Sequence, residues 1–314
     1  MPLEPDVAML LEQLKALPAL ETLPVKQARA LVDELARAGP VSDADVVSED
    51  FSIPTPAGEI PLRIYHPNQP QAIIVYFHGG GWTLGNLDSV DASLRDFSAA
   101  TNCCIVSVDY RLAPEHPFPC ALEDAYEATL WADMARANLV SSQCPLLVAG
   151  DSAGGNLATV VAQMATLQDG PTISGQVLFY PVTDTNTETA SYLENAEGRF
   201  LTRSLMQWFL DQYLPNQDDR TNPRAAPLRS DDLSALPPAL IQTAECDPLR
   251  DEGEAYAERL IAAGVEVALQ RRLGLIHGYF TMASSIESAA RALDDAVAWV
   301  NALCRLRDYA EQRA

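Results

Sequence analysis

From Arg63 onward, short apolar runs alternate with longer stretches in which apolar residues recur every three or four positions. The runs are Ala72–Phe77 (AIIVYF), Cys104–Val108 (CIVSV), Leu146–Ala149 (LLVA), Val177–Tyr180 (VLFY) and Ala239–Thr243 (ALIQT). Their near-continuous apolar character predicts strands covered on both faces, as in a parallel sheet. The longer stretches predict helices over Leu87–Thr101, Leu122–Ala137, Asn156–Gln168, Glu252–Ala263 and Ile286–Arg307. Val265–Leu273, with alternating Val265, Val267 and Leu269, predicts a last strand at an exposed edge, a candidate surface for pairing with a second copy. This alternation predicts βαβ units around an open, mostly parallel sheet.

Two regions break the rhythm. Residues 1–45 hold two amphipathic helix candidates, Val7–Leu17 and Val25–Ala38, with no strand between them. Residues 184–236 hold a polar Thr/Asn/Glu stretch, a helix near Leu201–Leu214 and an Asp/Asn/Pro-rich loop. A mostly helical insertion between two core strands reads as a lid; the alternative is surface decoration without a role. The core is then 46–183 together with 237–314.

Composition is that of an ordinary globular chain, 48% apolar and 20% charged, so a packed core is expected. The net charge of −22 argues against a nucleic-acid partner, which needs clustered Lys and Arg, and against an anionic membrane surface. No apolar run is long enough to span a bilayer and no secretory signal is evident, so a cytoplasmic protein is expected. The six scattered cysteines show no metal-ligand spacing and read as buried thiols in a reducing compartment.

The chemistry concentrates in glycine-rich turns. In Leu146–Ala158 a strand runs into Gly150-Asp151-Ser152-Ala153-Gly154 and a helix follows. This is the strand–turn–helix setting of G-x-S-x-G, where flanking glycines relieve a turn too tight for Cβ atoms and the serine hydroxyl is thrust out. The helix start also leaves the Ala153 N–H aimed at developing negative charge. Phe77-His78-Gly79-Gly80-Gly81-Trp82 follows the first apolar strand, and its glycines bare backbone N–H groups of the kind a tetrahedral oxyanion needs. A phosphate loop would call for Lys then Ser or Thr, absent here. His78 reads as a buttress of that loop.

Of the four histidines, only His277 follows Ser152, in the loop after the last strand, where the order Ser, acid, His places a base. The acid belongs between them at a strand end. Asp247 is favoured, Asp184 is the runner-up, and Asp251 reads as a cap of the helix near Glu252.

Together, HGGGW at 78–82, DYRLAPEHPFPCALED at 109–124, GDSAGGNLA at 150–158, DPLRDEG at 247–253 and HGY at 277–279 resemble the bacterial hormone-sensitive-lipase-like esterases, family IV of the lipolytic enzymes. The resemblance implies an α/β-hydrolase fold with a mostly parallel central sheet of about eight strands flanked by helices. It implies a Ser152–Asp247–His277 triad, an oxyanion hole from the N–H groups of Gly80, Gly81 and Ala153, and a lid built from the N-terminal helices and the insertion. It further implies hydrolysis of short to medium acyl esters with no metal or organic cofactor. Trp82, Tyr180, Phe200, Leu205, Trp208, Phe209 and Ile276 flank the site or lie in the lid and are candidate walls of an apolar substrate pocket. For Leu205, Trp208 and Phe209 the alternative is simply the buried face of a lid helix. A non-catalytic receptor on the same scaffold and an amidase are the competing functions.

Overall fold

The computed structural model describes residues 3–311. Eight strands form one sheet: β1 (Val47–Thr55), β2 (Gly58–His66), β3 (Ala72–Phe77), β4 (Cys103–Val108), β5 (Leu146–Asp151), β6 (Gly175–Phe179), β7 (Ala239–Cys246) and β8 (Val267–Ile276). Their order is β1-β2-β4-β3-β5-β6-β7-β8. β1–β2 and β2–β4 pair antiparallel and every other pair is parallel. The helices are α1 (Pro5–Leu14), α2 (Val25–Ala38), α3 (Asp91–Thr101), α4 (Cys120–Met134), α5 (Arg136–Leu139), α6 (Ala153–Leu167), α7 (Ala190–Glu194), α8 (Arg203–Tyr213), α9 (Arg250–Ala262) and α10 (Glu287–Glu311).

Each residue of β3 to β7 is buried, which is why those strands read as unbroken apolar runs. Side chains still alternate. Ile73, Val75 and Phe77 enter one core with α4, α6, α9 and α8, whereas Ala72, Ile74 and Tyr76 enter a second core with α1, α3 and α10. The sheet is therefore covered on both faces, and its parallel strands end together at one edge, where loops carry the glycine-rich turns.

The hairpin β1–β2 is absent from the sequence-based expectation. β1 is largely exposed, with only Ile53 buried, so it carries no apolar run. The signal available was the period-two spacing of Ile60, Leu62 and Ile64, all buried on β2. The last strand also runs three residues beyond its expected end, to Ile276, which brings His277 to the tip of the sheet. Leu269 and Leu273 stay exposed there, as befits an edge strand.

The insertion at 184–236 contributes α7, α8 and two 3-10 turns. It is tied to the N-terminal segment by the Ser204 hydroxyl, which donates to Glu21 (2.6 Å). α2 is pinned to the core by Arg29, which donates to the carbonyls of Thr83 (2.9 Å) and Ala113 (2.8 Å) and pairs with Glu115.

Candidate active site

Ser152 sits between the end of β5 and the start of α6 with φ 57° and ψ −119°, a left-handed region that a side chain enters at a cost of about 1–3 kcal/mol. Its surroundings over-determine that conformation. A Cβ on Gly150 would lie 2.3 Å from the Gly154 carbonyl oxygen, and one on Gly154 would lie 1.8 Å from that of Phe77. The Ser152 N–H donates to the Phe179 carbonyl (2.9 Å), and its own carbonyl accepts from Asn156 and Val182 (both 3.1 Å).

The hydroxyl meets an imidazole. Ser152 Oγ is 2.9 Å from His277 Nε2, and His277 Nδ1 is 2.8 Å from Asp247 Oδ2. All three side chains are buried. Asp247 Oδ1 accepts the Leu249 N–H (2.9 Å), which fixes the carboxyl plane. A carboxylate facing Nδ1 selects the tautomer with hydrogen on Nδ1, leaving Nε2 free to accept from the serine. The Tyr180 ring packs 4.6 Å from the imidazole, centre to centre.

The other acid candidates are engaged elsewhere. Asp184 accepts from Arg229 Nε (2.6 Å). Asp251 does not cap α9, which already begins at Arg250; instead it accepts the Ser191 N–H (2.7 Å) in the first turn of α7. The aspartate expected to cap its own helix thus caps α7.

The glycine loop leaves β3 and wraps around Asp151. The Gly79 N–H donates to Asp151 Oδ1 (2.8 Å), as does the Tyr76 hydroxyl (2.8 Å). Burial raises the Asp151 carboxyl above its ordinary range, while these two bonds pull the other way. Because Asp151 adjoins Ser152, one side chain ties the loop to the serine turn. Gly80 and Gly81 follow with φ of 110° and 59°. Among the described residues, no acceptor meets the N–H groups of Gly80, Gly81 or Ala153. His78 stacks on Tyr110 at 4.4 Å, and its Nδ1–H donates to the Gly79 carbonyl (2.7 Å). Burial lowers its pKa to about 4, so the ring is neutral at pH 7 and serves as a prop.

A cavity of about 200 Å³ opens in front of Ser152 and His277. Phe200, Leu205 and Phe209 line it; Trp82, Tyr180, Trp208 and Ile276 do not. Trp82 lies behind the glycine loop, stacked on Tyr213 at 4.3 Å. Tyr180 is buried beneath the imidazole, where its hydroxyl accepts the Phe280 N–H (3.2 Å). Ile276 belongs to the core on the α10 side, and Trp208 packs, partly buried, against the core on the opposite face of the sheet. Walls that sequence reasoning missed include Leu84, Val90, Leu201 and Met206. For Met206 the signal was its helical spacing beside Leu205 and Phe209; for Leu84, in the loop after the glycines, and Val90, ending the 3-10 turn before α3, the sequence gives no sign that they face the cavity. A second cavity, of about 570 Å³, adjoins the first through Leu20, Val32, Ser89, Val90, Phe200 and Thr281.

With this geometry in place, the comparisons with known proteins converge. A family profile described as "alpha/beta hydrolase fold" matches residues 74–281. The chain belongs to the α/β-hydrolase family, among its hormone-sensitive-lipase-like esterases. It is 46% identical to "Carboxylic ester hydrolase LipN" of Mycobacterium tuberculosis over 79% of this chain and 67% of that protein. With "Ethyl acetate hydrolase" of Pseudomonas putida it shares 37% identity over 93% of this chain and 96% of that protein. Among solved structures, a thermostable esterase from Pseudomonas putida superposes with TM-score 0.92 at 36% identity, covering 96% of this chain and 98% of that one. The hyperthermophilic esterase of Pyrobaculum calidifontis gives 0.91 at 38% identity, covering 96% and 99%. Among the described residues of this α/β-hydrolase, no helix is long and apolar enough to cross a membrane.

Proposed function

We propose that this carboxylic-ester hydrolase works through an acyl-enzyme on Ser152. The observation that carries the reading is the chain of contacts from Ser152 Oγ to His277 Nε2 (2.9 Å) and from His277 Nδ1 to Asp247 (2.8 Å), beside three unpaired N–H groups. His277 takes the hydroxyl proton as Oγ bonds to the ester carbonyl carbon. The resulting oxyanion lies against the N–H groups of Gly80, Gly81 and Ala153, each such donor contributing about 3 kcal/mol or more in comparable sites. Collapse expels the alcohol, protonated by His277. Water then repeats the attack on the acyl-serine and regenerates the enzyme. Asp247 holds the imidazole tautomer and stabilises the cation that forms in each half. The cycle consumes one ester and one water.

The modest apolar cavity favours esters of short to medium acyl chains, in keeping with the ethyl acetate hydrolase among the relatives. The two helices at 1–45 and the insertion at 184–236 serve as the lid, walling the cavity with Leu20, Val32, Leu205 and Phe209. β8, an edge strand with Leu269 and Leu273 exposed, is the surface for a homodimer. Nitrophenyl esters from two to sixteen carbons, offered to wild type and to Ser152→Ala, test the reading. Turnover should peak at the short end and vanish in the variant; a folded Ser152→Ala protein with near-normal turnover contradicts it. Faster cleavage of matched amides than of esters would favour an amidase, and an inert wild type the receptor.

A further inference from the structure

The oxyanion loop is gripped from two sides, and one of them is the lid. On the core side, Gly79 is fixed by Asp151, and the Gly80 carbonyl accepts the N–H groups of Thr83 (3.1 Å) and Leu84 (2.8 Å). On the other side lies α8. A Cβ placed on Gly81 would fall 2.1, 2.2 and 2.5 Å from the Cγ, Cδ1 and Cδ2 atoms of Phe209, so the phenyl ring rests directly on the Gly81 backbone. One helical turn later, on the same face of α8, Tyr213 stacks on Trp82 with planes 8° apart. The Tyr213 carbonyl also accepts the Phe118 N–H (2.9 Å), which anchors that end of α8 to the core.

Glycine has no side chain with which to hold its own peptide plane, so its orientation is set by what packs on it. Gly81 has φ 59°, its carbonyl accepts the Thr83 hydroxyl (3.0 Å), and the three heavy atoms nearest a Cβ built there all belong to the Phe209 ring. We propose that Phe209 is a positioning residue for the oxyanion hole, its ring fixing the Gly80–Gly81 peptide so that the lid insertion takes part in stabilising the transition state. The inference rests on the ester-hydrolase reading above. It makes α8 a fixed part of the machinery, since lifting the helix would release Gly81.

A wall and a buttress respond differently to truncation. If Phe209 only walls the cavity, Phe209→Ala enlarges it, changing KM and favouring longer acyl chains. If it holds the hole, kcat falls by a similar factor for every chain length while KM changes little. The drop should be tenfold or more, bounded by the roughly 10²–10³-fold loss of removing a donor outright. Phe209→Leu, which keeps part of the contact, should recover an intermediate kcat. Leu205→Ala, on the same helix and lining the same cavity, should shift chain-length preference instead. The experiment is steady-state kinetics of wild type and these variants on acetate to octanoate nitrophenyl esters, with melting curves recorded alongside. If Phe209→Ala fails to fold, the Leu variant still decides: a uniform kcat loss supports the inference. An active wild type whose Phe209 variants keep kcat and change only KM or chain preference overturns the inference while leaving the ester-hydrolase reading intact. A wild type inert toward all esters overturns both.

Discussion

Asp247→Asn probes the site most sharply, because the structure dictates which way the new amide faces. The carboxylate accepts two hydrogen bonds, Leu249 N–H on Oδ1 (2.9 Å) and His277 Nδ1–H on Oδ2 (2.8 Å). Asparagine offers one acceptor oxygen and one donor NH₂. The Leu249 N–H belongs to the backbone leading into α9 and cannot become an acceptor, so the amide oxygen must stay on it. The NH₂ group then faces Nδ1 and forces that nitrogen to accept. The imidazole proton moves to Nε2, which no longer takes the serine proton. A wrong tautomer of this kind lowers kcat by about 10⁴ in serine hydrolases, close to 5.4 kcal/mol of lost transition-state stabilisation. Shape is preserved, so thermal melting should stay within a few degrees of wild type. The assay is kcat on a nitrophenyl ester with melting measured in parallel. A folded Asp247→Asn enzyme that loses less than about tenfold would refute the tautomer argument and reopen the assignment of the acid.

Other consequences follow from groups around the site. Glu252 is buried, with Oε1 accepting the N–H groups of Thr183 (2.8 Å) and Asp184 (3.1 Å), and burial, with Asp184 and Asp247 nearby, pushes its carboxyl well above the ordinary range. A raised folded-state pKa gives stability that is complete below the unfolded value and lost as pH climbs toward the folded one. Glu252→Gln, uncharged and able to keep both bonds, should therefore gain on wild type as pH rises from 5 to 8, by up to about 1.4 kcal/mol per pH unit in urea melts; parallel profiles would contradict this. Gly154→Ala drives a methyl onto the backbone carbonyls of Phe77 and His78 (1.8 and 2.7 Å), which no side-chain motion relieves. It should cost about 3 kcal/mol or more in denaturant unfolding, and a loss under about 1 kcal/mol would show that the elbow is not tightly packed. Arg29→Met strips two carbonyls and Glu115 of their donor. It should speed limited proteolysis within residues 15–40 while leaving the core intact, and an unchanged cleavage rate would mean that α2 is held by packing alone.

The five central strands were legible because each is buried on both faces, so the sequence shows unbroken apolar runs. β1 was not, since its residues mostly face water and its pairing with β2 is set by the hairpin. The candidate triad was legible for a different reason. Glycine spacing marks the turn at Ser152, and chain order leaves His277 as the one histidine beyond it. What sequence could not convey is how α8 and the glycine loop meet. Trp82 stands next to the glycines and reads as a wall, yet stacking on Tyr213 draws it behind the loop; Phe209, four residues before Tyr213, faces the cavity instead. Which aromatic lines the pocket is decided by the seating of α8 on Gly81, a tertiary contact with no periodicity in sequence.

Covalent labelling tests Ser152 as the nucleophile without relying on any substrate. Treated with a fluorophosphonate and digested for peptide mass mapping, the wild-type enzyme should carry one phosphonyl group, on Ser152, with activity lost in proportion to labelling, and His277→Ala should label far more slowly. Full inactivation with the phosphonyl group on another residue, or activity that survives complete labelling of Ser152, would contradict the account.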